Sequence, residues 1–301
     1  MNCVAVFGGS GFLGREIVAR LIAEGVSVRV AVRNPQNVRV NEDSGQTRAG
    51  IRPVYADVRD ETSVALALEG CDAAVNSVGL YTEKGSETFK AIHELGALNV
   101  ARQCAIQNVE RLVHVSGIGV DISSQSKYVQ ARAKGELLTR DAFPTAIMLR
   151  PSVLFGPGDT LINTLADLVR GSPVVPLFGH GRTKLQPVYV VDAAQAAFRA
   201  LENPSSPERT YELGGRQVYT YRGLVELVAA RLEKRRLYLP LPFFVWHLMA
   251  AVASLMAAPP LTRDQVVLMK RDNVVAKNAL SLEELGIRAT ALEEVLPRYA
   301  F

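Results

Sequence analysis

Apolar and polar positions recur along the chain in one order: a short β-branched run, a turn, then apolar residues at helical spacing. Val4-Ala5-Val6-Phe7 is the first run, and Phe12 to Ile22 follows with a helical period. Val26 to Val32 alternates as a second strand, Ile51 to Ala56 reads as a third, Ala73 to Val78 as a fourth and Arg111 to Val115 as a fifth. Between them, residues 41–50 are polar and read as loop, Glu61 to Leu68 as a helix, and about Glu87 to Gln107 as a long helix. This alternation implies the α/β class, a doubly wound parallel sheet (Rossmann) with its ligand at the strands' C-terminal edge. The expected division is residues 1–155 as the Rossmann domain, completed by about 173–202, and 203–301 as a smaller C-terminal α/β lobe.

The first strand runs into Gly8-Gly9-Ser10-Gly11-Phe12-Leu13-Gly14. In a strand-turn-helix, Gly8 takes the backbone angles of the turn, Gly11 lets the main chain approach a pyrophosphate, and Gly14 packs helix on strand. The pyrophosphate would sit at the helix N-terminus, where free N–H groups and the helix dipole favour an anion. A glycine-rich turn without ligand is the alternative. At the end of the second strand an acidic residue would accept from both ribose hydroxyls of NAD. None is present; Arg33 stands there instead, facing either a 2′-phosphate or solvent, and Arg15 is a second nearby cation.

Composition narrows the class. The 301 residues are enough for a full core, and 48% hydrophobic with 21% charged residues is globular. A net charge of +4 suits anionic cofactors or an anionic membrane surface but is too small to argue for nucleic acid. Cys3, Cys71 and Cys104 lack metal spacing and read as reduced, buried thiols. No targeting segment is expected ahead of the first strand, which points to a bacterial cytoplasm or its membrane, with a processed organellar form as the alternative.

The G-x-x-G-x-x-G spacing resembles the short-chain dehydrogenase/reductase superfamily, in its extended and atypical branches. That resemblance implies that the Asp57-Val58 pair reaches the adenine, unless Asp57 is simply a helix N-cap, and that the backbone at Gly79 passes the cofactor's ribose. It also implies a reacting set: a Tyr-x-x-x-Lys pair on one helix, a Ser or Thr after the fifth strand and an Asn on the preceding long helix. The tyrosine is the general acid/base, and the lysine holds the ribose and lowers the phenol's pKa by its charge. Here Tyr128 is in place, but Arg132 occupies the lysine position, and Lys134 points to another face. Ser116 is the serine usual at the strand's end, yet the reacting hydroxyl falls one residue later, at Gly117, and His93 falls on the asparagine. Arginine keeps the charge but not the compact ammonium. An intact phosphate turn beside a degenerate set of Ser116, Tyr128, Arg132 and His93 implies a nucleotide that is held and not turned over. The alternative is that Arg132 or Lys134 substitutes and Tyr128 still transfers a proton.

In the second half, Leu149-Arg150-Pro151-Ser152 matches the superfamily's Arg-Pro stretch, which implies Pro151 beside the nicotinamide. Asp192 reads as N-cap of a helix over Ala193 to Glu202. Arg231 to Arg236 is basic and precedes the apolar run Phe243 to Ala257, which spans about 20 to 25 Å as a helix, short of the roughly 30 Å hydrocarbon core. It reads either as an interfacial or partner-facing helix or as a buried helix of the lobe. With His93-Glu94-Leu95-Gly96-Ala97, the phrases Leu285-Gly286-Ile287 and Leu292 to Tyr299 resemble the nucleotide-binding accessory subunits of respiratory complex I (NADH:ubiquinone oxidoreductase). That resemblance implies a tightly held NADPH, other complex I subunits as partners, no nucleic acid, a peripheral position at the cytoplasmic face of a bacterial inner membrane or a matrix-side counterpart, and a role in assembly or stability. A soluble NADP-dependent reductase or epimerase and an NADPH/NADP redox sensor are the competing readings.

Overall fold

A computed structural model describes residues 1–38, 50–202, 210–254, 256 and 261–301. The first half folds as β1 (Cys3–Phe7), α1 (Phe12–Ala23), β2 (Ser27–Val32), β3 (Ile51–Tyr55), α2 (Glu61–Leu68), β4 (Ala73–Asn76), α3 (Ala97–Ile106), β5 (Arg111–Val115), α4 (Lys127–Ala142) and β6 (Ile147–Pro151). The second half adds β7 (Leu154–Phe155), α5 (Thr160–Gly171), β8 (Val174–Phe178), β9 (Lys184–Leu185), β10 (Val188–Tyr189), α6 (Val190–Glu202) and β11 (Thr210–Leu213). β12 (Tyr219–Thr220), α7 (Tyr221–Arg231), β13 (Leu237–Leu241), α8 (Phe243–Ala253), α9 (Arg263–Leu268) and α10 (Leu292–Val295) complete it.

Seven strands make one parallel sheet in the order β11-β6-β5-β4-β1-β2-β3. The order reverses between β1 and β4, which opens a crevice beyond their C-terminal ends. The two-residue period of β1 sorts its side chains: Val4 and Val6 pack with α1 and α6, while Ala5 and Phe7 pack with α2 and α3. Each such fully buried Val or Phe contributes about 1.5–3 kcal/mol of transfer free energy. The three cysteines are free thiols, Cys104 buried and the Cys3 Sγ 3.1 Å from that of Cys71.

Three expectations change. The long helix does not run unbroken from Glu87: Lys90–Gly96 forms a π-helical turn that leads into α3. This wider turn carries His93, whose ring Nε2 lies 2.9 Å from the carbonyl oxygen of Leu80. Asp192 is not an N-cap, because α6 already begins at Val190; its carboxylate accepts from the backbone N–H of Thr290 at 2.7 Å and from the Thr290 hydroxyl at 3.0 Å. The strand pairing also redraws the expected boundary at 203. Residues 174–178 pair with β13 in the lobe, whereas residues 210–213 pair with β6 as the last strand of the main sheet. A parallel partner for β6 requires a long crossover, and much of the lobe is threaded into that crossover.

The lobe closes around Phe155, Ile162, Leu177, Leu224, Val228 and Val295. Helix α8 is anchored on it by Trp246, whose ring stacks on Phe178 at 4.1 Å and whose indole N–H donates to the Leu177 carbonyl at 3.2 Å. The opposite side stays open: Phe244 is 72% exposed, Leu248 66% and Val252 63%. Helix α8 is thus pinned to the lobe along one stripe and exposed along another. Among the described residues, no helix is long and apolar enough to cross a membrane.

Candidate functional site

The crevice begins at the β1–α1 turn. Gly8 has φ +76°, a left-handed conformation that side chains disfavour, and its N–H donates to the Ala31 carbonyl at 3.1 Å. Gly11 N–H donates to the Gly8 carbonyl at 2.9 Å, and Gly11 ends the turn as the N-cap of α1 with no side chain capping it. A Cβ on Gly14 would lie 2.1 Å from the Gly8 carbonyl oxygen, so only glycine lets the helix come this near the turn. Ser10 is exposed, Gly9 and Leu13 are buried, and Phe12 packs at the rim of the main core. The outcome is a cradle of main chain with uncapped helix N–H groups, the donor set that an anionic pyrophosphate takes.

Toward β2 and β3 the side chains take over. Arg33 is ion-paired with Glu87. Asp57 is buried and accepts from Arg59 Nε at 2.9 and 3.1 Å, one bond to each oxygen. The Arg59 hydrogen bond holds the Asp57 carboxyl below the usual carboxylate range, against the opposing effect of burial. Asp57 does not cap α2; Asp60 does, accepting from the Thr62 N–H at 3.1 Å. Val58 is buried, and its carbonyl accepts from Asn99 Nδ2 at 2.9 Å. Gly79 follows β4 with open space where its side chain would be.

The other end gathers the degenerate set. Ser126 caps α4, accepting from the Val129 N–H at 3.3 Å while its hydroxyl donates to Asp264 of α9, so the lobe fixes where this helix starts. In the first turns of α4 Tyr128 and Arg132 face each other, and the guanidinium donates to the phenol oxygen. Tyr128 is buried among Tyr81, Phe89 and His93, with ring centroids 5.6, 5.6 and 5.4 Å away. Burial raises the Tyr128 phenol well above its ordinary value, more than the Arg132 charge lowers it. His93 is held neutral, its pKa lowered to about 3 by burial and then by the Arg132 charge. Lys134 points elsewhere, 3.8 Å from Glu94.

Two departures in this set lie against each other. A Cβ on Gly117 would lie 3.3 Å from Arg132 Cζ and 3.4 Å from both terminal nitrogens. A side chain at 117 would press on the guanidinium, which would have to give way by a few tenths of an ångström. Ser116 at the end of β5 is buried, and Pro151 ends β6 with its carbonyl accepting from the Ile118 N–H at 3.1 Å. Beneath them Glu136 of α4 takes Arg150 in a two-bond pair at 2.9 and 2.7 Å. Burial pushes the Glu136 carboxyl up, and Arg150 outweighs it to leave the group below its ordinary range.

The fold therefore brings the glycine turn, Gly79, Ser116 and Pro151 to the ends of β1, β4, β5 and β6, with Arg33 and Asp57 at one side and Tyr128, Arg132 and His93 at the other. Sequence reasoning missed Arg59, Glu87, Tyr81 and Phe89. Arg59 directly follows the Asp57-Val58 pair and offered a signal; Glu87 and the two aromatics lie in a polar stretch that offered none.

Comparison with known proteins agrees with this architecture. Residues 4–214 match the model of the NAD dependent epimerase/dehydratase family. The chain is 32% identical to NADH dehydrogenase (ubiquinone) 1 alpha subcomplex subunit 9, mitochondrial, of Arabidopsis thaliana, over 94% of this chain and 73% of that protein. It is 31% identical to the same-named protein of Rattus norvegicus, over 98% of this chain and 79% of that one. Among solved structures, the Thermus thermophilus UDP-glucose 4-epimerase in complex with NAD shares the fold with a TM-score of 0.63 at 20% identity, covering 94% of this chain and 99% of that one. A parallel sheet with its crevice at the β1/β4 reversal, a glycine cradle there and this similarity along the whole chain lead to one conclusion: the chain belongs to the NAD dependent epimerase/dehydratase family and, within it, to the family of these complex I subunits.

Proposed function

We propose that the chain is a non-catalytic accessory subunit of a respiratory NADH:ubiquinone oxidoreductase, which holds NADP(H) as part of its structure and supports assembly or stability of the complex. The observation that carries this reading is the Tyr128–Arg132 pair. The phenol that would move a proton is buried, its pKa is raised, and its partner is a guanidinium packed over Gly117. A guanidinium remains charged at any working pH and cannot relay a proton. The phenol, held as a neutral hydroxyl, binds and orients but is a poor general acid or base near neutrality.

A bound NADP(H) carries a hydride at its nicotinamide; the residues here position it and bring no proton to an acceptor. Gly8, Gly9, Ser10, Gly11, Phe12, Leu13 and Gly14 would hold the pyrophosphate, Arg33 the 2′-phosphate, and Asp57 and Val58 the adenine. Gly79, Ser116, Tyr128, Arg132 and Pro151 would line the nicotinamide half. The open stripe of α8, with Arg231, Lys234, Arg235 and Arg236 shortly before it in sequence, suits a peripheral seat at a membrane face beside other complex I subunits. In a bacterium that face is the cytoplasmic side of the inner membrane.

The test is purification at natural abundance from membranes, with mass identification of co-migrating proteins and of the bound nucleotide. Respiratory subunits and NADP(H) are the expected result, and a chain that migrates alone would overturn the reading. The competing enzyme reading is favoured by the retained position of Tyr128. It requires the isolated polypeptide to oxidise bound NADPH with carbonyl substrates, and Tyr128→Phe to abolish this. Arg33→Ala is expected to weaken NADPH binding far more than NADH binding.

A further inference from the structure

Residues 77–89 connect β4 to the π-helical turn and span both ends of the crevice. At the tip, Lys84 and Glu87 exchange backbone hydrogen bonds of 3.0 Å each way, a tight hairpin. Glu87 then reaches Arg33 at the end of β2, and the Ser86 hydroxyl accepts from Arg59 at 2.9 Å while Arg59 also grips Asp57. The hairpin tip is thus tied to the two arginines that follow β2 and β3. Its flanks meet the opposite end: Tyr81 before the tip and Phe89 after it both pack on the Tyr128 ring, and the Phe89 N–H donates to Glu83 at 2.8 Å.

A carboxylate offers a guanidinium a pair of acceptor oxygens, as a phosphate monoester does with two of its three terminal oxygens, and the phosphate carries more charge. Both cannot sit on Arg33 together, since like charges a few ångströms apart repel. We propose that Glu87 is an internal stand-in for the ribose 2′-phosphate, displaced from Arg33 by NADP(H) and left in place by NAD(H). The hairpin then opens only with the phosphorylated dinucleotide and carries that information to Tyr81, Phe89 and Tyr128. Glu87 thereby sets cofactor discrimination by competition, without touching the cofactor. This rests on the reading that the crevice holds a dinucleotide with Arg33 at its adenosine ribose.

The experiment measures amide hydrogen exchange of residues 81–89 and equilibrium binding of NADP⁺ and NAD⁺, in the wild-type chain, in Glu87→Gln and in Arg33→Ala. NADP⁺ at saturation is expected to speed exchange of the hairpin several-fold relative to the NAD⁺-loaded chain. Glu87→Gln should exchange fast without nucleotide. It should also bind NADP⁺ about 2- to 5-fold more tightly, the range set by the strength of an exposed ion pair, with NAD⁺ affinity unchanged. Equal protection of the hairpin by both nucleotides, or a Glu87→Gln affinity for NADP⁺ equal to wild type, overturns the inference. If Arg33→Ala is selective for NADP⁺ while Glu87→Gln is silent, only the stand-in role fails. If Arg33→Ala weakens both nucleotides equally, the placement of the 2′-phosphate fails and the stand-in role with it.

Discussion

The two ends of the crevice are built from different material. At the β1–α1 turn the site is main chain: a left-handed Gly8, a Gly14 pressed on a carbonyl and an uncapped helix, where almost every requirement is on backbone shape. At the start of α4 the site is side chains: Tyr128, Arg132, His93, Tyr81 and Phe89 filling one another's space. A backbone cradle binds the pyrophosphate common to all dinucleotides and tolerates little change. A side-chain cluster can lose its chemistry by a few substitutions and still pack. On the proposed reading, the binding end of the fold is kept in this chain and the reacting end is rewritten.

The largest effect should come from attacking the cradle. Gly14→Ala puts a methyl 2.1 Å from the Gly8 carbonyl oxygen, and forcing the turn apart is expected to lower unfolding stability by about 3 kcal/mol and abolish dinucleotide binding. Gly79→Ala, which meets open space, should leave the denaturation midpoint unchanged; equal behaviour of the two variants would break the comparison.

Next is the support under the side-chain end. Glu136→Gln removes the near carboxylate of Arg150 and leaves the more distant Glu212, 3.8 Å away, and a loss of about 2 to 3 kcal/mol is expected, below the full value for a deeply buried pair because Arg150 is partly exposed. The Glu136 carboxyl titrates lower in the folded chain than unfolded, so its contribution is complete above the unfolded value of about 4.3 and disappears as pH falls through the folded one. A urea series from pH 7 to pH 3 should show the wild type and Glu136→Gln converging at the acid end.

A smaller effect sharpens the account of the rewritten end. Gly117→Ser should cost about 1 kcal/mol in the wild type and much less beside Arg132→Lys, a coupling readable in a double-mutant cycle. Additive values would show that the two departures are unrelated. The smallest effect at neutral pH belongs to His93→Asn. The folded imidazole stays neutral down to about pH 3, while the unfolded one takes a proton below about pH 6.5, so acid favours unfolding through this group. Replacing it should flatten the acid slope of stability by up to one proton, about 1.4 kcal/mol per pH unit between pH 6 and 4, with His114, lowered to about 4, adding a second such contribution.

Legibility in the sequence follows the same divide. The strands, the glycine turn and the departures at 93, 117 and 132 were readable, because period-two alternation and glycine spacing are local signals. The π-helical turn at Lys90–Gly96 was not: its extra residue leaves no compositional mark, and apolar positions drift too little over seven residues to betray it. The N-cap role weighed as the alternative for Asp57 falls to Asp60, three residues on, and each aspartate is followed by plausible helix. Pairings across the chain, Arg33 with Glu87 and Asp192 with Thr290, depend on tertiary closure and have no signature in either partner's neighbourhood. Nor did the packing of Arg132 over Gly117, although each half of it was visible alone.

Strand β11 is the last strand of the sheet in chain order, separated from its partner β6 by α5, β8 and α6. A ribosome that has released residues 1–155 has therefore produced a sheet with a raw flank, Met148 and Leu149 among its buried positions, and nothing yet synthesised to seal it. Splitting the chain at the junction of the halves is therefore expected to yield fragments that clump through this flank unless they are co-expressed.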